Sequence, residues 1–167
     1  MDEAMLVLRV VVGAVMFFHG CEKLFGWWGG EGRAGATEFF ARQGYRPPAL
    51  MAVVAGAAET AAGALLVTGL VTPLACLLLI STLVNVAALH LRNGLSRRTN
   101  GCEYELVLLA ATVAVLFGGA GRWSLDALLG VPVLSLVQAV TVLAAAVVGG
   151  LVVVATRRTP TTIGAAR

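Results

Sequence analysis

Charged residues are scarce in this sequence. Only 13% of the 167 residues are Asp, Glu, Lys or Arg, whereas 59% are hydrophobic. Because an ordinary soluble domain carries about 25% charged residues, most of this chain cannot face water. Several membrane spans of about 20 residues each also leave no room for a second sizeable domain. We therefore expect one helical bundle in a membrane.

Cysteine is also scarce, and no pair has the C-x-x-C spacing of a redox motif. The chain has three cysteines, Cys21, Cys76 and Cys102. We expect no structural disulfide, since Cys21 and Cys102 are predicted to face a reducing cytoplasm. Both lie at the same predicted membrane face, which leaves a thiol role for this pair open. Cys76 is expected to pack as a small hydrophobic residue.

The hydrophobic residues are concentrated in five segments, which predict an all-α membrane protein. The predicted spans are Ala4–Phe25, Ala49–Leu70, Pro73–Leu91, Glu103–Gly119 and Val131–Ala155. The first follows Asp2 and Glu3 and has no small-x-small cleavage site after it, so we expect a membrane span and not a cleaved signal peptide.

Proline and glycine predict how the spans are connected. Thr72 followed by Pro73 is typical of an N-cap and a first helical position, and Val131-Pro132 predicts the start of the fifth span. Between spans one and two, the segment ATEFFARQGY predicts a short interfacial helix that ends at Gly44.

The positions of the basic residues predict the orientation in the membrane. Ten of the twelve Lys and Arg residues fall in loops one and three or in the C-terminal tail: Lys23, Arg33, Arg42, Arg46, Arg92, Arg97, Arg98, Arg157, Arg158 and Arg167. The positive-inside rule then places the N-terminus outside and the C-terminus in the cytoplasm of a bacterial plasma membrane. The basic loops can bind anionic lipid heads. Nothing indicates nucleic-acid binding, because no reading element accompanies the basic residues.

Three polar residues are predicted inside the membrane. From the helical rise, His19 and Asn85 lie roughly 9 Å, and Glu59 roughly 15 Å, from the cytoplasmic ends of their spans. Side chains tilt toward the N-terminus of their helix, so the three are expected to converge. An acid at this depth indicates a cavity or a polar partner. Arg9 is expected to reach the outer surface with its long side chain.

A second polar layer is predicted at the cytoplasmic rim. It consists of Glu22, Lys23, His90, Glu103 and Glu105, with Cys21 and Cys102 nearby. His19, Glu22 and Lys23 share one helix face. Each rim residue also has a structural interpretation: Lys23 as a membrane anchor, Glu103 as a capping partner of Asn100, and the other three as solvated or carbonyl-bonded groups.

The sequence resembles the DoxX family of small bacterial membrane proteins from Leu8 to Asp126. The similarity rests on LRVVVGAVMFFHGCEKLFGWWGG, AETAAGALLVTGLVTPLA, HLRNG and EYELVLLAATVAVLFGGAGRWSLD. Positions that match the family pattern are Arg9, His19, Gly20, Lys23, Glu59, Gly63, His90, Asn93, Gly94 and Glu105. Family members typically have four helices. The resemblance thus implies a four-helix membrane domain at 1–126 and an additional helix with a basic tail at 127–167.

The resemblance implies redox chemistry at the membrane, since one family member is the small subunit of a thiosulfate:quinone oxidoreductase and another is linked to oxidative stress. Our first hypothesis is that the chain is a subunit of an oxidoreductase complex rather than an enzyme that acts alone. In this hypothesis, His19, Glu59 and Asn85 bind a quinone. Glu22, His90 and Glu105 would then exchange protons with the cytoplasm.

Two alternatives belong to other classes. The chain could be a non-catalytic anchor that recruits soluble redox enzymes through Arg97 and Arg98. It could also hold a haem between His19 and His90, or a metal with Glu22 and Glu59.

Overall fold

The computed structural model describes residues 2–158, which form helices and no strand. The seven α-helices are α1 (Asp2–Phe25), α2 (Gly32–Arg42), α3 (Pro48–Thr68), α4 (Thr72–His90), α5 (Glu103–Gly118), α6 (Leu125–Leu128) and α7 (Leu136–Ala155). Short 3-10 turns lie at Trp27–Gly29, Leu91–Asn93 and Arg97–Thr99. Arg167 and the rest of the predicted tail after residue 158 lie outside the described residues.

Four of these helices are long and apolar enough to cross a membrane: α1, α3, α4 with its extension to Asn93, and α7. The chain is therefore an all-α membrane protein. The predicted fourth span, α5, has only 16 residues. Its length is about 24 Å at 1.5 Å per residue, less than the hydrocarbon thickness of about 30 Å. It ends early because Gly119 has φ 77°, outside the helical region.

The shorter α5 nevertheless runs alongside α1 in the opposite direction. The Tyr104 hydroxyl, near the start of α5, contacts His19 of α1. At the other end, Gly118 faces the sulfur of Met5. The bundle thus has two ends, called here the His90 end and the Asp2 end. Five helices, α1, α3, α4, α5 and α7, alternate in direction between them.

Helix α7 packs on α4 and connects the C-terminal part of the chain to the first loop. Gly150 of α7 lies so close to α4 that a Cβ there would come within 2.6 Å of the Ser81 carbonyl oxygen. Beyond the helix, the Arg158 N–H donates to the Gly44 carbonyl at 2.9 Å. The predicted helix of the first loop is present as α2, which buries Phe40. It lies at the His90 end, where it covers α3.

Helices α4 and α7 begin differently from the predictions. The carboxylate of Asp126 accepts the N–H groups of Val71 at 2.7 Å and of Thr72 at 2.9 Å. The start of α4 is therefore capped from a segment 54 residues away, and Thr72 is not the N-cap. The predicted start of α7 at Val131-Pro132 is also wrong. Ser135 caps that helix through a capping box with Gln138.

Arg9 does not extend to the outer surface as predicted. The residue is 1% exposed, and its guanidinium donates to the carbonyl oxygens of Ala120 at 3.1 Å, Leu66 at 3.0 Å, Val67 at 2.6 Å and Trp123. Two of these acceptors lie in the last turn of α3, where carbonyl groups have no partner within the helix. These nearby acceptors satisfy the cation inside the protein, so it does not need to reach water.

Glycines let α1 and α3 approach closely along their length. A Cβ at Gly13 would lie 2.7 Å from the Gly63 carbonyl oxygen, and one at Gly63 would lie 2.5 Å from the Phe17 backbone nitrogen. Small residues at a membrane helix interface permit this backbone contact. The short separation brings side chains of α1 within reach of the middle of α3.

We expect Gly63→Ala to lower the free energy of unfolding by about 1–3 kcal/mol, because the new methyl group overlaps the α1 backbone. Unfolding of the purified protein in detergent, followed by circular dichroism, measures this change. Ala61→Leu is the control, since Ala61 lies on the exposed face of α3. Equal stability of the two variants would contradict close packing of α1 on α3.

Candidate functional site

An ion pair between α1 and α3 lies at the centre of the candidate site. Lys23 Nζ lies 2.5 Å and 2.7 Å from the two carboxylate oxygens of Glu59. The Glu59 side chain is 2% exposed and that of Lys23 is 32% exposed. Lys23 was interpreted mainly as a membrane anchor, and the structure corrects this. Its long flexible stem turns inward, because the close approach of α1 to α3 places Glu59 within its reach.

A cavity of about 430 Å³, called here the large cavity, lies beside this ion pair at the His90 end. It is enclosed by the end of α1, the first loop with α2, and the facing sides of α3 and α4. Its wall is mainly apolar and includes Phe39, Phe40 and Leu89. Its polar lining residues are Glu22, Lys23, Glu31, Glu59, Thr82 and Asn85. This composition is typical of a site for a small apolar ligand that carries a few polar groups.

Asn85 lines the large cavity and has an unpartnered buried donor. Its Oδ1 accepts a hydrogen bond of 3.0 Å from the Tyr45 hydroxyl. Its Nδ2 is buried and has no hydrogen-bond partner in the part of the chain that the structure describes, and the whole residue is only 7% exposed. A buried donor without a partner costs about 1–3 kcal/mol. A ligand with an acceptor atom would remove this cost.

Tyr45 is a site residue that the sequence analysis did not identify. Burial raises the pKa of its phenol, against smaller opposite effects of the hydrogen bond to Asn85 and of the Arg157 charge. Tyr45 therefore remains protonated and acts as the donor that orients the Asn85 amide. The sequence did contain a reason to consider Tyr45, because the chain has only two tyrosines. A buried tyrosine hydroxyl usually has a hydrogen-bond partner.

A second cavity of about 160 Å³, called here the small cavity, lies on the other side of the ion pair. It is formed between α1, α3, α4 and α5. Polar lining residues are His19, Lys23, Glu59, Thr82, Tyr104 and Glu105. Lys23 and Glu59 line both cavities. The ion pair thus forms part of the boundary between the two cavities.

The structure separates the three residues that were predicted to converge. His19 lines the small cavity, Asn85 lines the large cavity, and Glu59 lines both. His19 Nδ1 lies 3.1 Å from Glu22 Oε2, and its Nε2 lies 3.1 Å from the Tyr104 hydroxyl. Glu59 is therefore the connecting residue of the set, and its direct partner is Lys23.

The predicted rim residues fall into several environments. His90 Nδ1 donates to Glu105 Oε1 at 2.9 Å, while Glu105 Oε2 is buried without a hydrogen-bond partner among residues 2–158. Glu22 lines the large cavity. Glu103 is exposed, and α5 has Cys102 as its N-cap with no side-chain cap in this described segment, so the predicted capping by Asn100 and Glu103 is wrong.

The cysteines and histidines offer little to a metal. Cys21 and Cys102 are both buried and free. Cys76 is also buried, as predicted for a small hydrophobic residue. Within residues 2–158, no group of three or more His, Cys, Asp or Glu residues is arranged to hold a metal ion.

The fold and the site define a small helical membrane protein with a buried ion pair between two cavities at one end of its bundle. The family model DoxX matches residues 4–92, more than half of the chain, so the protein belongs to the DoxX family. It is similar to the "Putative oxidoreductase CatD" of Bacillus subtilis (strain 168), with 29% identity over 122 residues, which cover 72% of this chain and 83% of that protein. No solved structure matches the chain.

We expect Lys23→Met to destabilise the protein by about 2 kcal/mol. Breaking a fully buried pair costs about 3–5 kcal/mol, and the partial exposure of Lys23 reduces this value. Glu59→Gln should cost less, since it leaves the cation on the more exposed partner. The double variant should recover stability relative to Lys23→Met. Thermal unfolding in detergent measures all three, and an additive loss in the double variant would argue against the pair.

Proposed function

We propose that the protein is an integral membrane subunit of a redox complex and that its large cavity binds the head group of a quinone. The observation that carries this proposal is the unpartnered Nδ2 of Asn85, a residue that lines this mainly apolar cavity. Membership of the DoxX family and the similarity to the "Putative oxidoreductase CatD" of Bacillus subtilis support a redox role.

The charge of the site disfavours an anionic ligand, since Glu22 and Glu31 line the large cavity in addition to the Lys23–Glu59 pair. Lys23 and Glu59 neutralise each other across 2.5 Å, so the large cavity has no unpaired cation next to Glu59 that could receive an anion. An anionic ligand on Lys23 would leave the Glu59 carboxylate buried and unpaired, which is costly. A quinone is neutral and flat, and its two carbonyl oxygens accept hydrogen bonds. Asn85 Nδ2 and Lys23 Nζ are donors of the required kind.

Reduction of a quinone consumes two electrons and two protons, and this chain does not supply the electrons by itself. Neither Cys21 nor Cys102 lines the large or the small cavity. We infer that a partner enzyme oxidises a thiol or a reduced sulfur compound. Oxidation of two thiols to one disulfide releases two electrons and two protons. Reduction of one quinone to a quinol consumes the same number of each. This requirement favours a subunit of a complex over an enzyme that acts alone.

The surface around the cavity suits such a partner. Exposed arginines lie in the loops and the short helix at the His90 end: Arg33, Arg42, Arg46, Arg92 and Arg98. By the positive-inside rule, this end faces the cytoplasm of a bacterial plasma membrane, with the N-terminus outside. A soluble enzyme with an acidic surface would dock here next to the large cavity. The anchor hypothesis predicts the same docking surface.

We expect Asn85→Asp to weaken the binding of decylubiquinone by about 10- to 100-fold. The loss of one hydrogen bond from a buried donor, about 1–3 kcal/mol, corresponds to this range. The aspartate retains an oxygen for Tyr45 but lacks the Nδ2 donor. Quenching of intrinsic tryptophan fluorescence by the quinone measures the dissociation constant.

Asn93→Asp is the matched control, because Asn93 is exposed in the loop after α4. Asn85→Leu, a second variant without charge, should weaken the binding as well. Wild-type affinity in both Asn85 variants would contradict a quinone in the large cavity.

A further inference from the structure

We propose that Arg157, just beyond α7, is a positioning residue of the large cavity: it holds Tyr45, and Tyr45 holds two residues of the cavity wall. This inference rests on the ligand site proposed above. It adds to that site a part of the chain that lies beyond residues 4–92, the range that the family model matches. The C-terminal end of α7 thereby gains a role in ligand affinity.

The guanidinium of Arg157 joins the end of α7 to the end of α2. Its Nε donates to the Gln43 carbonyl oxygen at 2.9 Å, and its Nη2 donates to the Gln43 side-chain oxygen at 3.3 Å. Gln43 is the C-cap of α2, so the cation lies at the negative end of that helix dipole. The same guanidinium lies over the Tyr45 ring, with its Cζ 5.5 Å from the ring centroid. One side chain thus contacts both the end of α2 and the tyrosine that follows it.

Backbone contacts of the next residue, Arg158, hold the same corner between α2 and α3. The Arg158 N–H donates to the Gly44 carbonyl at 2.9 Å, and a Cβ at Gly44 would overlap the Arg158 carbonyl oxygen. Gly44 also has φ 85°, a conformation that favours glycine. Two separate constraints therefore require glycine at this corner. These backbone contacts and those of Arg157 are together called here the clasp.

Tyr45 connects the clasp to the wall of the large cavity. The residue is 1% exposed, and its hydroxyl donates to Asn85 Oδ1 at 3.0 Å. Its ring packs edge-to-face on Phe40, with the ring centroids 5.2 Å apart. Asn85 and Phe40 both line the large cavity, and Val153 of α7 packs against the cluster that contains Phe40 and Tyr45. Release of Tyr45 would therefore free an amide and an aromatic ring of the wall together.

A wall that is fixed in advance increases affinity, because the ligand does not have to order it. A side chain that becomes ordered only on binding lowers the affinity by about two- to tenfold. Arg157 does not line the large cavity, so its substitution removes no group that could contact the ligand. Any effect of Arg157 on affinity then reflects the position of the wall.

The test uses the purified full-length protein in detergent and measures two quantities. The first is the dissociation constant for decylubiquinone, and the second is the rate at which tetranitromethane nitrates Tyr45 without ligand. Mass spectrometry of peptides separates Tyr45 from Tyr104, the other tyrosine of the chain. In Arg157→Ala we expect the dissociation constant to rise about three- to tenfold. Nitration of Tyr45 should become several-fold faster, because the buried ring loses its cover.

Arg158→Ala is the matched control. It removes the same charge from the neighbouring position, but the contacts of Arg158 with Gly44 are made by backbone atoms. Both quantities should therefore keep their wild-type values. Arg157→Lys retains a cation and a donor but not the planar fork, and it should restore part of the affinity. Gly44→Ala loosens the clasp from its other side without a change of charge and should act like Arg157→Ala. Thermal unfolding identifies the variants that are folded, and Arg157→Ala decides alone if Gly44→Ala is not.

The outcomes distinguish the clasp from the ligand site. Wild-type affinity in Arg157→Ala would overturn the positioning role and leave the quinone site standing. Weaker binding with unchanged nitration of Tyr45, or equal weakening in Arg158→Ala, would also overturn it, because the effect would not pass through Tyr45. Failure of the wild-type protein to bind decylubiquinone would overturn the quinone site and, with it, this role. Weaker binding and faster nitration in Arg157→Ala, with neither change in Arg158→Ala, would support the proposal.

Discussion

A carboxylate inside a membrane bundle needs a partner, and the organisation of this protein depends on how Glu59 obtains one. The partner is Lys23, whose ammonium group lies within 2.7 Å of both carboxylate oxygens. The pair forms only because α1 and α3 approach closely at their glycines. Wider helix packing would leave Glu59 unpaired in a low-dielectric interior, where an isolated charge is very costly. Helix packing and the polar site are therefore parts of one constraint.

The buried polar groups at the two ends of the bundle differ in how fully they are hydrogen-bonded. At the Asp2 end, the Arg9 guanidinium is bonded to carbonyl oxygens and the Asp126 carboxylate to backbone N–H groups. These bonds complete helix ends that would otherwise lack partners. The unmatched atom there is a neutral hydroxyl oxygen, that of Thr72. At the His90 end, the unmatched atoms belong to an amide and a carboxylate, Asn85 and Glu105. Among the described residues, the two ends therefore differ in the kind of buried group that lacks a partner.

The sequence was sufficient to predict the helices but not the pairing of their polar groups. Long apolar runs specify α1, α3, α4 and α7 because a membrane requires internally bonded backbone. The predictions for Arg9 and Lys23 failed for a common reason. The role of each residue was predicted from its distance to a membrane surface. The hydrogen-bond or ion-pair partners of each residue, however, include groups on another helix. Depth can be estimated from a single helix, but a long side chain can turn inward or outward, and only the packing decides which.

The same reasoning explains why the inner polar layer was only partly predicted. Helical rise and side-chain tilt placed His19, Glu59 and Asn85 in the same half of the bundle, and each of them lines at least one of two adjacent cavities. Tilt does not give the rotation of a helix about its axis. His19 consequently lies toward α5 and Asn85 toward Tyr45. Tyr45 itself follows a short loop helix, so no span periodicity indicated that it is buried.

The separation of the two cavities has a chemical advantage for a quinone site. A flat apolar ring that fills the large cavity excludes water from it, and exclusion of water strengthens each hydrogen bond to the ring. The same exclusion removes the water through which protons would arrive. A proton for the ring would then have to pass through a side chain of the wall, and Glu59 lines both cavities.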